Sequence, residues 1–162
     1  MPNFQHSIEI RASQEALFDL TQNYDLRLSW DPFLKEARLV GRSASEAGVG
    51  ARAWCVARNG LGMETEYVSF KRPEVIAIKM TKGPWVFRSF AGSWRFDQFG
   101  LDSTRVTFRY NFSTRPGWLQ SIVGPVLRAV LSRENRRRLE CLKKAVEGAG
   151  PSVLSNPIKS QI

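Results

Sequence analysis

The chain has 162 residues and a net charge of +9, from 24 Lys and Arg against 15 Asp and Glu. At 43% hydrophobic and 11% aromatic it is neither a disordered polyelectrolyte nor a disulfide-stapled miniprotein. A chain of this length buries roughly 70% of the surface its unfolded form exposes. Two cysteines without metal spacing and a single histidine, His6, argue against a zinc site, and no cofactor is expected.

Residues 4–11 alternate: Phe4, His6, Ile8 and Ile10 share one face and Gln5, Ser7, Glu9 and Arg11 the other. Period 2 predicts a half-buried strand. Ser13 reads as a helix N-cap, with Glu15 in the first turn and Ala16, Leu17 and Leu20 as the apolar face. A second short helix or turn over residues 24–30 is stopped by Asp31-Pro32.

The signals then turn to β. Residues 35–40 predict a strand and 41–50 a polar loop. Residues 51–58 lead into Asn59-Gly60, a hairpin turn. Strands over 63–71, 75–81, 87–99 and 104–113 follow, separated by Arg72-Pro73-Glu74, Lys82-Gly83-Pro84 and 100–103. Six consecutive strands on short turns predict an antiparallel meander. Arg115-Pro116-Gly117 ends it.

A long helix is predicted over residues 118–147, with Leu127, Leu131, Asn135, Leu139, Leu142 and Val146 forming one stripe. Gly124-Pro125 should weaken or kink its first third. The expected organisation is one domain over 1–148 and a flexible tail over 149–162. The fold class is α+β: a seven-stranded antiparallel sheet wrapped around the long C-terminal helix, with two short helices after the first strand. One helix cannot fill a wide concave face, so the space between is the natural ligand site.

Three local patterns carry a resemblance. His6-Ser-Ile-Glu-Ile-Arg-Ala-Ser13 precedes Gln-Glu-Ala-Leu-Phe. Gly83-Pro84 precedes Gly92-x-Trp94-x-Phe96, and Thr104-Arg-Val106-x-Phe108 follows. Together with the element order they resemble the helix-grip fold of the START and birch-pollen-allergen superfamily, nearest its polyketide cyclase and coenzyme-Q-binding branch. The resemblance spans residues 3 to 147. It implies a hydrophobic cavity for a lipid, polyketide or quinone-like molecule, held for binding or transport, or used for cyclisation or dehydration.

Face by face, Val106, Phe108, Tyr110 and Phe112 should point inward from the last strand. Arg88, Phe90, Gly92, Trp94 and Phe96 should do so from the strand before, and Ile76, Ile78 and Met80 from the next. The candidate ligand-binding residues are therefore Ile78, Met80, Arg88, Phe90, Trp94, Phe108, Tyr110, Leu131 and Asn135. A buried amide at Asn135 needs partners. His6 falls on an inward face, where a lone histidine is most often structural. Two faces stay open. Glu64 and Glu66 share parity with Val68 and Phe70; burying two unpaired carboxylates is costly, so a bulge or an outward placement is the cheaper solution. Either Ala51, Ala53 and Cys55 or Trp54 and Val56 face inward on their strand.

No Ser, His and Asp arrangement and no glycine-rich phosphate loop is visible, so catalytic residues stay unassigned. Residues 133–144 hold six basic residues against two acidic. Arg133, Arg136, Arg137 and Arg138 are the candidate contacts to an anionic membrane surface or ribosomal RNA. The alternative is a solvated helix face. The N-terminus lacks an apolar signal core, and no apolar run nears the ~18 residues that cross a bilayer. A cytoplasmic location is expected.

Overall fold

The computed structural model describes residues 3–41 and 46–148. Part of the predicted 41–50 loop and the whole predicted tail, 149–162, lie outside them. The elements run β1 (Asn3–Ile10), α1 (Gln14–Gln22), α2 (Tyr24–Trp30), β2 (Leu34–Val40), β3 (Arg52–Ala57), β4 (Gly62–Lys71), β5 (Val75–Lys82), β6 (Phe87–Phe99), β7 (Ser103–Thr114) and α3 (Leu119–Gly148). The strands form one seven-stranded sheet in the order β1-β7-β6-β5-β4-β3-β2, every pairing antiparallel.

Local chemistry sets the boundaries. Ser13 caps α1, its hydroxyl accepting from the Ala16 amide. Asn23 ends α1 and caps α2, accepting from the Asp25 amide. Gly60 takes a positive φ of 92° in the β3–β4 hairpin, a conformation glycine adopts without a Cβ clash.

The core lies between the sheet's inner face and the helices. Phe4 and Ile10 enter it from β1, Phe90, Trp94 and Phe96 from β6, and Val106, Phe108, Tyr110 and Phe112 from β7. Leu17, Phe18 and Leu20 of α1 and Leu139, Leu142 and Val146 of α3 close it from the other side. The α3 helix packs mainly on β1 and β7, and more lightly on α2. It runs unbroken through Pro125.

A register shift in β4 and the burial pattern of β3 decide the open faces. In β4 Thr65 and Tyr67 are buried, while the register shifts between Tyr67 and Ser69. Both cheaper solutions are therefore used. Glu64 lies on the outer face, accepting from Thr81 Oγ1 at 2.8 Å and from Arg52 Nη1 at 3.4 Å. The bulge returns Phe70 to the core, edge-on to Phe18 at 5.1 Å. In β3 the small residues face in: Ala51, Ala53 and Ala57 are buried. Trp54 lies opposite, against Gly62, where an added Cβ would strike its ring at 2.4 Å.

Candidate functional site

The structure brings most of the predicted site residues together. Phe90, Tyr110, Phe108 and Trp94 form a continuous run of rings with successive centroids 4.9, 4.4 and 4.0 Å apart, the first two contacts tilted and the last stacked. All four are buried. Gly92 opposite Tyr110 lets the phenol ring approach, since a Cβ there would sit 3.2 Å from it. These rings fill the space beneath α3 with one another rather than facing an open chamber. Asn135 is fully buried; its Nδ2 donates to the Phe108 carbonyl at 3.1 Å. Ile78, Met80 and Leu131 are half-buried at the margin of this core.

Two placements correct the sequence reading. Arg88 is exposed, and Phe87 takes the inward position. The β6–β7 register shifts between Phe87 and Ser89, so the alternation that places Phe90 and Trp94 inside does not extend to residue 88. Arg138 is 4% exposed and belongs to the interior, not to a docking face. Arg133, Arg136 and Arg137 are exposed, as expected.

Around Arg138 lies a polar cluster that strand and helix patterns did not single out. Asp31, at the end of α2, accepts on one oxygen from Arg27 Nε at 2.9 Å. The same oxygen accepts from Arg138 Nε at 3.1 Å and Nη2 at 2.7 Å. Its other oxygen accepts from the Phe33 amide at 3.1 Å. Arg138 Nη1 also donates to the Tyr110 hydroxyl. The Arg27 guanidinium lies 4.8 Å over Trp30 and 5.6 Å from Trp94; that of Arg138 lies 5.0 Å from Phe108 and 5.2 Å from Phe33. Two guanidinium groups thus share one carboxylate inside an aromatic shell. A second hydroxyl chain adjoins them: Tyr24 and Tyr67 share a 2.8 Å hydrogen bond, and Tyr67 donates to Gln22 Oε1 at 2.7 Å.

The charge states follow from the surroundings. Burial raises the Asp31 carboxyl, but Arg138 and Arg27 outweigh it and hold the group below the usual carboxylate range. Burial lowers the Arg138 guanidinium's proton affinity, and Asp31 more than reverses that. Burial pushes Tyr67 up to about 12 and also raises Tyr24, Tyr110 and Cys55. At neutral pH the cluster is two cations, one anion and neutral hydroxyls, a local excess of positive charge. Arg27 donates through Nε to Asp31 and through Nη1 to the Thr21 carbonyl, and among the described residues Nη2 has no acceptor. Among the same residues, Asn135 Oδ1 and Trp30 Nε1 are buried without a hydrogen-bond partner. Such atoms call for a polar group to meet them.

His6 sits apart, on the α3 side of β1, its Nε2 hydrogen-bonded to Ser132 Oγ at 2.7 Å. Burial and the nearby Arg136 both lower its pKa. Among the described residues no group of three His, Cys, Asp or Glu could hold a metal, and no helix is long and apolar enough to cross a membrane.

The fold and its inner face are those of the helix-grip class. The chain belongs to the family described as polyketide cyclase/dehydrase and lipid transport, which it matches over residues 1–147. Solved structures share the architecture at low sequence identity. A START superfamily protein from Mycobacterium smegmatis superposes with a TM-score of 0.74 at 13% identity, covering 91% of this chain and 99% of that one. The ZhuI aromatase/cyclase from Streptomyces sp. R1128 gives 0.73 at 15% identity, covering 92% and 98%. Norcoclaurine synthase from Thalictrum flavum, in complex with dopamine and hydroxybenzaldehyde, gives 0.68 at 14%, covering 92% and 88%. No curated protein matches the chain in sequence at a significant level.

Proposed function

We propose that the protein binds a small hydrophobic molecule with an acidic or oxygen-rich head. The head is held by Arg27 and Arg138. The body lies along the inner side of β3 to β5, against Ala53, Cys55, Met63, Ile78 and Met80, with Leu131 above. The observation that carries this reading is the buried Arg27–Asp31–Arg138 cluster, whose positive excess sits in apolar surroundings. A buried unbalanced charge is costly, and a ligand anion or carbonyl offsets that cost. The small side chains of β3 and the flexible thioethers of Met63 and Met80 suit an apolar body of variable shape. Family membership supports a hydrophobic ligand.

A cyclase or dehydratase reading has less behind it. Asp31 accepts four N–H donors and is a weak base, while the tyrosines and Cys55 hold their protons more tightly than usual. The cluster is built to hold charge rather than to pass protons at neutral pH.

The test compares a fluorescent polyene fatty acid with the corresponding alcohol. The acid should bind about tenfold tighter or more, the difference expected of a charge-assisted pair. Arg27→Gln should equalise the two, with near-UV circular dichroism showing the aromatic core intact. Equal affinity for acid and alcohol in the unaltered protein would overturn the charged-head reading.

A further inference from the structure

The N-terminal half of α3 turns a run of apolar side chains outward. Ile122, Val126 and Val130 recur every fourth residue and are 65, 61 and 53% exposed. Trp118, just before the helix, is 66% exposed, and Trp85, in the β5–β6 turn, 75%. The turn is tied to the segment before the helix: the Arg115 amide donates to the Val86 carbonyl at 2.8 Å, while the Phe87 amide closes the turn itself on the Pro84 carbonyl at 3.0 Å. Both tryptophans therefore stand at one end of the molecule, held there by main-chain bonds.

The charge around this end has one sign. No Asp or Glu occurs from residue 103 to 133, or from 75 to 96. Arg88, Arg115, Arg128 and Arg133 in those stretches are exposed. Glu64, opposite Lys82 in the β4–β5 register, is engaged by Thr81 and Arg52. A surface with two exposed indoles, a row of branched aliphatic side chains and a basic border, which meets an acid only at the half-buried Glu134 and the engaged Glu64, has the chemistry of the bilayer interface. Indoles settle at headgroup depth, aliphatic residues enter the acyl boundary, and arginines meet anionic headgroups.

We propose that this face docks peripherally on a lipid bilayer carrying anionic headgroups. It shares only Arg133 with the arginine run expected above; Arg136 and Arg137 lie further along the helix, and Arg138 is lost to the core. Docking is independent of the ligand reading above, because none of these residues belongs to the Arg27–Asp31–Arg138 cluster.

The experiment is sedimentation of the full chain with vesicles of phosphatidylcholine, with and without phosphatidylglycerol, read together with tryptophan emission. Trp30 and Trp94 are buried and Trp54 is half-buried against Gly62, so the part of a blue shift that Trp85→Ser and Trp118→Ser each remove reports the two exposed indoles. Association should be about tenfold or more stronger on the anionic vesicles and should weaken with salt. Trp118→Ser with Val126→Ser should abolish the shift without moving the unfolding midpoint. Arg128→Glu with Arg133→Glu should remove the preference for anionic lipid. Absence of binding to anionic vesicles at low salt would overturn the proposal. So would binding that survives the Trp118→Ser, Val126→Ser pair. Ribosomal RNA bound in place of vesicles, or a dimer that those same substitutions dissociate, would reassign the face.

Discussion

The two halves of α3 differ in what they leave outside. From Asn135 to Val146 the helix lays Leu139, Leu142 and Val146 on the sheet and carries a buried arginine with them. From Leu119 to Val130 it holds Leu127 half-buried and leaves Ile122, Val126 and Val130 in water. One half is specified by what lies beneath it; the other presents a face that the described residues leave uncovered. The contrast shows that helical phase, not local composition, decides a residue's surroundings. Arg138 sits three residues after Asn135 and four before Leu142, on the buried line. Arg133 and Arg137 continue the outward line of Val126 and Val130.

The largest break in this comparison should come at the buried end. Asp31→Ala leaves two guanidinium groups in the interior without a counter-charge and should cost about 3–5 kcal/mol in chemical denaturation. Adding Arg138→Met should recover part of that loss, because one of the two uncompensated charges is then gone. Next, Leu142→Ala should cost about 2–5 kcal/mol, whereas Val126→Ala should stay within about 0.5 kcal/mol. Equal effects at the two positions would mean that the outward face is packed in solution. The smallest effect belongs to His6. Its pKa is lower folded than unfolded, so as pH falls the unfolded chain takes the proton first. The stabilisation is therefore complete above roughly 6.5 and lost as pH drops through that value toward the folded pKa. His6→Gln should flatten this part of the pH profile of the unfolding midpoint.

Much of the architecture is legible in the sequence because alternation and turn residues report it directly. Val106, Phe108, Tyr110 and Phe112 alternate without interruption, and all four are buried. Where the sequence misleads, a bulge or a long-range partner intervenes. Arg88 has the parity of Phe90, but the register shift after Phe87 breaks the count. Asp31 reads as a helix stop beside Pro32; its ion pair with Arg138 spans 107 residues, which no local pattern encodes. Arg27 and Asp31 do carry the i, i+4 spacing of a helical ion pair, and that signal was available. The aromatic faces are correctly placed, yet whether rings enclose space or fill it depends on χ angles that spacing does not set.

The strand order leaves β1 and β2 as the two rims of an open sheet. An unpaired rim is a template for a neighbouring chain. On β2 the side chains of Lys35, Glu36 and Arg38 are exposed, Arg38 Nε meeting Glu36 at 3.0 Å, and a bulge bends the strand between Leu34 and Glu36. A second copy trying to extend the sheet there would have to desolvate those charges against a bent strand. The β2 rim is thus guarded against fibre-like stacking, so a sheet that never closes into a barrel can still remain single.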